Sequence, residues 1–108
     1  MAKQLRFNYD GREYVLEFTR RTVRTMEENG FVGSEVGDKP MMILQLFSGA
    51  FLAHHRFEKN DRIEEIYAAM PDKEKLIAKL IEMYNEPIEA LMADPGEDSG
   101  KIEWAANW

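Results

Sequence analysis

The dipeptide Asp10-Gly11 sits between two stretches that alternate polar and apolar residues, Gln4 to Tyr9 and Arg12 to Phe18. Asp-Gly favours a two-residue type I′ turn, because both central positions need positive φ and the turn's twist matches that of paired strands. A hairpin over residues 4–18 is therefore expected, and the turn sets its register. Tyr9 should face Arg12, Phe7 should face Tyr14, and Leu5 should face Leu16. Leu5, Phe7, Tyr9, Tyr14, Leu16 and Phe18 then share one face. Arg6, Asn8, Glu13 and Glu17 share the other with Val15. A slip of one residue would invert both faces, so turn and pattern must agree, and here they do. A lone two-stranded hairpin is marginal in water, so its apolar face must cover helices or pair with another chain.

The rest of the chain changes period from two to about 3.6. A helix is expected over about 19–29, capped by Thr19, with Val23 and Met26 inward and Gly30 ending it. Arg24 and Glu28, four apart, should pair on its surface. Gly30 to Asp38 reads as a loop. The most apolar stretch follows Pro40 and predicts a helix over about 41–56. It is apolar nearly all round, as a helix central to a bundle would be. Ser48, Gly49 and Ala50 would let a neighbour approach closely. Met41 to Ala53 is too short to span a bilayer, which needs about 20 residues. Asp61-Arg-Ile-Glu64 resembles a capping box opening a helix over about 61–70, with Ile63, Ile66, Tyr67 and Met70 inward and Pro71 as its stop. Asp72 should cap a final helix over about 73–93. Its apolar positions are Leu76, Ile77, Leu80, Tyr84, Ile88, Leu91 and Met92, with Pro87 expected to kink it. The acidic stretch Asp94 to Gly100 links this helix to a tail ending Trp104-Ala-Ala-Asn-Trp108. The expected architecture is α+β and mostly α. It has one globular domain over 1–93, made of a hairpin and about four helices, followed by a linker and aromatic tail over 94–108.

At 108 residues the chain allows one small domain with a real core. The net charge of -6 makes nucleic acid a poor partner, because phosphate-backbone affinity comes from Lys and Arg. The charge is uneven. Up to Val36, the cations Lys3, Arg6, Arg12, Arg20, Arg21 and Arg24 balance Asp10, Glu13, Glu17, Glu27, Glu28 and Glu35, so the whole excess lies beyond. Such an asymmetry either steers a basic partner or is simply a solvated helical surface. With no cysteine there is no disulfide framework, thiolate zinc site or cysteine nucleophile. No signal-peptide pattern opens the sequence, and secretion is not expected.

Catalytic and ligand motifs are not found. His54 and His55 are adjacent, so on a helix they point about 100° apart and cannot share a metal as an i, i+4 pair could. A polar role at a helix end or core edge suits them. There is no glycine-rich phosphate loop. Ser48-Gly49 lacks the leading glycine of a nucleophile elbow. Asp94 to Gly100 lacks the alternating ligands and terminal Glu of a calcium loop. No cofactor, metal, small-molecule substrate or membrane is therefore expected, and no enzyme. Arg20, Arg21 and Arg24 form the basic cluster, either a salt-paired helix face beside Glu27 and Glu28 or a nucleic-acid contact.

Two residue types point instead to protein binding. Seven methionines are many for this length, and methionine is over-used on surfaces that accept varied apolar partners. Met41, Met42, Met83 and Met92 are the candidates, with ordinary core filling as the alternative. Both tryptophans, Trp104 and Trp108, lie in the tail. Tryptophan is enriched at binding hot spots. The tail either folds back over an apolar groove of its own domain or docks on another chain.

A longer pattern is recognisable. It comprises Phe7-Asn-Tyr-Asp-Gly-Arg-Glu-Tyr-Val-Leu-Glu-Phe-Thr-Arg-Arg-Thr-Val23, Met26-Glu-Glu-Asn-Gly-Phe31, Leu46-Phe-Ser-Gly-Ala-Phe51 with His54-His55, then Met83-Tyr84, Pro87-Ile88 and the tryptophan tail. It resembles the small tail assembly chaperones of long-tailed bacteriophages and prophages, in their Gram-positive-type branch. The resemblance covers most of the chain and includes no catalytic signature. It implies a non-enzymatic helical protein made in the bacterial host cytoplasm during phage assembly and absent from the mature virion. It implies binding to the long tape measure protein, keeping it soluble, and recruitment of tail tube protein. Copies could join along such a client as a homo-oligomer. Many such genes also yield a longer product by frameshifting, and Gly100-Lys101 is a dipeptide that slippery codons could encode. The alternative class is a structural minor tail or head–tail connector protein.

Overall fold

The computed structural model describes residues 3–93 and 102–108. Among them the chain forms an antiparallel hairpin, β1 (Leu5–Tyr9) and β2 (Arg12–Leu16), and four α-helices. The helices are α1 (Arg20–Glu28), α2 (Met41–Gly49), α3 (Asn60–Ala69) and α4 (Lys73–Met92), with a single 3-10 turn at Gly33–Glu35. The fold is α+β and mostly α, as expected. The expected linker 94–100 and the dipeptide Gly100-Lys101 lie outside the described residues.

The hairpin has the register that the turn dictates: Leu5 opposite Leu16, Phe7 opposite Tyr14, Tyr9 opposite Arg12. Asp10 and Gly11 both take positive φ, 52° and 79°, as a type I′ turn requires. Tyr14, Leu16 and Phe18 are buried, and Leu5, Phe7 and Tyr9 pack on the same core. Phe7 stacks on Tyr14 with centroids 5.4 Å apart. The hairpin is fastened on its β2 side. The outward amide of Glu17 donates to the carbonyl of Ala50 at 3.0 Å. That of Val15 donates to His55 Nε2, also at 3.0 Å.

The fastening falls where α2 ends short of expectation. The helix expected over 41–56 ends at Gly49, with Ala50 as its C-cap, and continues only as turns. Beyond Gly49 the bonds tighten to three-residue spacing, Phe51 to Ser48 and Leu52 to Gly49, and the Ala50 carbonyl accepts from Glu17, the residue after β2. α2 is nevertheless the central helix, touching α1, α3, α4 and the 3-10 turn. Its close approach to α1 occurs at Gly49, where a Cβ would lie 2.4 Å from the Met26 sulfur.

α1 begins as expected. Thr19 accepts from the Thr22 amide at 3.1 Å, and Thr22 Oγ1 accepts from the Thr19 amide at 2.9 Å, a reciprocal capping box. Val23 and Met26 point into the core. The capping box expected at Asp61 to Glu64 does not form. α3 starts one residue earlier with Lys59 as N-cap, its carbonyl accepting from Ile63 at 3.0 Å, so Asp61 lies inside the first turn. Asp72 holds the N-cap position of α4 but makes no side-chain cap. It has φ 52° and ψ 52°, whereas a capping side chain needs extended backbone. Lys73 donates back to the Met70 and Ala68 carbonyls and so serves the end of α3 rather than the start of α4. Met70 is extended, as the residue before Pro71 should be. α4 runs through Pro87 without a break in its assignment.

Candidate functional site

α4 carries its apolar stripe inward through Leu76, Leu80, Met83 and Tyr84. The stripe then outruns its partners, leaving Leu91 and Met92 exposed. Opposite the middle of α4, the segment after α1 folds back along the core. Phe31 and Val36 are buried while Val32 between them is exposed. Phe31 packs edge-on to the Tyr84 ring at 5.3 Å, and Phe18 does the same from the hairpin side at 5.5 Å. Gly33 lies so close to Tyr84 that an added Cβ would sit 3.0 Å from the ring.

These contacts leave a groove of about 620 Å³ between the Phe31–Val36 segment and α4. Its apolar walls include Phe31, Val32, Val36, Leu46, Ile81 and Ile88. Glu27, Ser34 and Asn85 supply polar groups there. Burial, and then the nearby Glu27 carboxylate, push the Tyr84 hydroxyl above the ordinary phenol range. A groove with apolar walls and a few polar rim groups suits an amphipathic segment laid along it.

The six residues expected to bind protein are not gathered here. Met41 is 67% exposed at the start of α2 and lines a shallow recess toward α3 with Leu44 and Ile63. Met42 is half-buried against the core. Met83 is 4% exposed and belongs to the core, so a surface role does not fit it. Its place next to Tyr84 on the inward stripe explains this. Met92 is exposed at the end of α4, and Trp104 and Trp108 are 84% and 100% exposed. Residues 102–108 have no regular secondary structure. The groove residues were missed because Phe31, Val32 and Val36 fall in a segment read as a plain loop. The available signal was Ile81, an apolar residue off the core stripe of α4.

His55 takes the core-edge role, while His54 is exposed. His55 packs on Tyr14 with centroids 5.0 Å apart and accepts the Val15 amide, which requires an unprotonated Nε2. Burial, then Arg12 and His54, hold its pKa below the ordinary imidazole value. His54 Nε2 lies 2.7 Å from Glu17 Oε1. That bond, with a second from Gln4, holds the Glu17 carboxyl below its usual range despite partial burial. Among the described residues no group of three or more His, Asp or Glu side chains is placed to hold a metal ion. No helix among them is long and apolar enough to cross a membrane. The expected salt-paired face on α1 does not form. Arg20, Arg21 and Arg24 are exposed, and none makes an ion pair among the described residues, Arg24 with Glu28 included.

Fold and groove together define a small α+β domain in which a β-hairpin is clasped to four helices beside an open apolar groove. The chain belongs to the family described as Domain of unknown function (DUF5055), whose model matches residues 1–108. No curated protein and no solved structure matches it.

Proposed function

We propose that this protein is a non-enzymatic tail assembly chaperone of a phage or prophage. It binds the tape measure protein, keeps it soluble in the bacterial host cytoplasm, and helps recruit tail tube subunits. It leaves before the virion matures. The motif resemblance suggests the reading, and the groove along α4 is the observation that carries it. A holdase needs a concave apolar surface that accepts helical segments of varied sequence, and the apolar lining of this groove suits a few side chains from the apolar face of such a segment. The exposed Met41 and Met92, away from the groove, add separate adaptable apolar side chains. The acidic excess keeps a loaded complex soluble.

Co-expression with the tape measure protein encoded beside it, followed by size exclusion of the soluble fraction, tests the reading. Co-elution is expected, with the client insoluble when made alone. Presence of the chain in purified particles, with no effect on client solubility, would instead favour a structural minor tail or head–tail connector role.

A further inference from the structure

Two unpartnered apolar features lie within reach of each other. One is the groove between the Phe31–Val36 segment and α4. The other is the tail, in which Ile102, Trp104 and Trp108 are each at least 84% exposed. We propose that the tail docks in cis, placing Trp104 in this groove, so that the protein's own C-terminal segment occupies the surface offered to a client. The docking stands on the geometry alone, while its competition with a client rests on the chaperone reading.

Reach permits it. Ten residues lie between Ala93 and Trp104, and the eleven steps along the chain can span at most ~36–40 Å. The groove lies along α4 from Ile88 back to Ile81, about 8–18 Å before Ala93 at the helical rise. The tail therefore arrives with slack whatever path the intervening residues take. Chemistry favours this groove over the other large recesses. The one beside α1 sets Leu52 and Ala53 among Thr19, Arg21, Thr22, Thr25 and Arg56, and the one below the hairpin sets Ala53 and Phe57 among Arg12, both histidines, Arg56 and Glu58, so both are mainly polar and cationic. An indole needs an apolar slot for its rings and an acceptor for its single N–H. The α4 groove offers both, with the Glu27 carboxylate and the Asn85 amide oxygen as acceptors. Mass action favours cis over a second copy. A short tether holds the tail at an effective concentration of order mM, above that of the free protein in ordinary solution.

The two tryptophans are the chain's own reporters. In full-length protein carrying Trp108→Phe, emission and acrylamide quenching read Trp104 alone. Docking predicts blue-shifted emission and loss of at least about half the quenching seen in urea, if the groove's intrinsic Kd is near or below ~1 mM. Val32→Lys and Ile81→Lys, both at exposed wall positions, should each restore solvent-like quenching with unchanged far-UV circular dichroism. Solvent-like quenching in the parent would overturn the proposal. So would protection indifferent to both lysines, or protection lost on dilution together with a halving of mass, which would assign the groove to a second copy. Displacement by a helical segment of the tape measure protein would support shared use of the groove. Persistent protection beside bound client would leave the docking intact and overturn the competition.

Discussion

Gly49 of α2 lies directly against Met26 of α1, and its substitution has a sign that depends on that neighbour. An alanine Cβ at this position would lie 2.4 Å from both Sδ and Cε of Met26 and 3.1 Å from its Cγ. Ordinary contact needs about 3.5–4.0 Å, so the thioether must move by more than an ångström. Overpacking of this kind costs about 1–3 kcal/mol. Met26 is an unbranched side chain beside a recess of about 260 Å³, so relocation is open to it. The lower part of that range, about 1–2 kcal/mol, therefore applies. Against it, alanine is favoured over glycine by at most about 1 kcal/mol in a helix, and less at a last helical residue. Gly49→Ala should therefore destabilise by about 0.5–1 kcal/mol, lowering Tm by several degrees. Met26→Ala alone should cost about 2–5 kcal/mol. In that background the clash is absent, and Gly49→Ala should stabilise by up to about 1 kcal/mol. Urea unfolding of the four proteins in a double-mutant cycle measures the coupling, expected at about 1–2 kcal/mol. The same sign and size of the Gly49→Ala effect in both backgrounds would refute the reasoning.

Three further outcomes follow from the polar contacts. Stability should fall on acidification in two steps. His55 is held below its ordinary value, so the unfolded chain takes up the proton first and stability declines as pH drops through about 6.5. Glu17 is likewise depressed, so its contribution is present above about 4.5 and is lost below it as the folded carboxyl protonates. Urea midpoints against pH should lose the first step in His55→Gln and keep the second. Thr19→Ala removes the acceptor for the Thr22 amide and should cost about 1 kcal/mol by the same assay, with Thr19→Ser near neutral. Tyr14→Phe removes a 2.6 Å bond to Glu58 and should cost about 1–3 kcal/mol, because the carboxylate is a charged, half-buried acceptor. An unchanged midpoint would show that Arg12, 3.8 Å from that carboxylate, satisfies it alone.

The parts of this fold that were legible in the sequence are those decided locally. A turn dipeptide and a period-two pattern settle the hairpin register within about fifteen residues of chain, and Thr19 and Thr22 settle the start of α1 in the same way. The parts that were not legible are decided by distant groups. α2 gives way to turns where the Ala50 carbonyl meets the Glu17 amide just past β2, a contact that nothing between Met41 and Arg56 reveals. The groove exists because residues just after α1 lie against the middle of α4, and neither segment alone marks a concavity. Met83 and Met92 are chemically alike, yet one is core and the other solvent-exposed, because α4 is longer than the body it packs on.

The clasp between β2 and the turns after α2 also bears on how the chain folds. Val15 and His55 are forty positions apart, and their bond forms only when the intervening loop has closed. The hairpin looks like an early, independent unit because its own contacts are local, but two strands alone are marginal in water. Its lasting protection is therefore borrowed from a late, long-range event. In hydrogen exchange, the outward amides of Val15 and Glu17 should open together with the Ala50–His55 turns as one cooperative unit, rather than fraying with the strand end. A hairpin whose register is set by its own turn is, energetically, the far half of a closure made around α2.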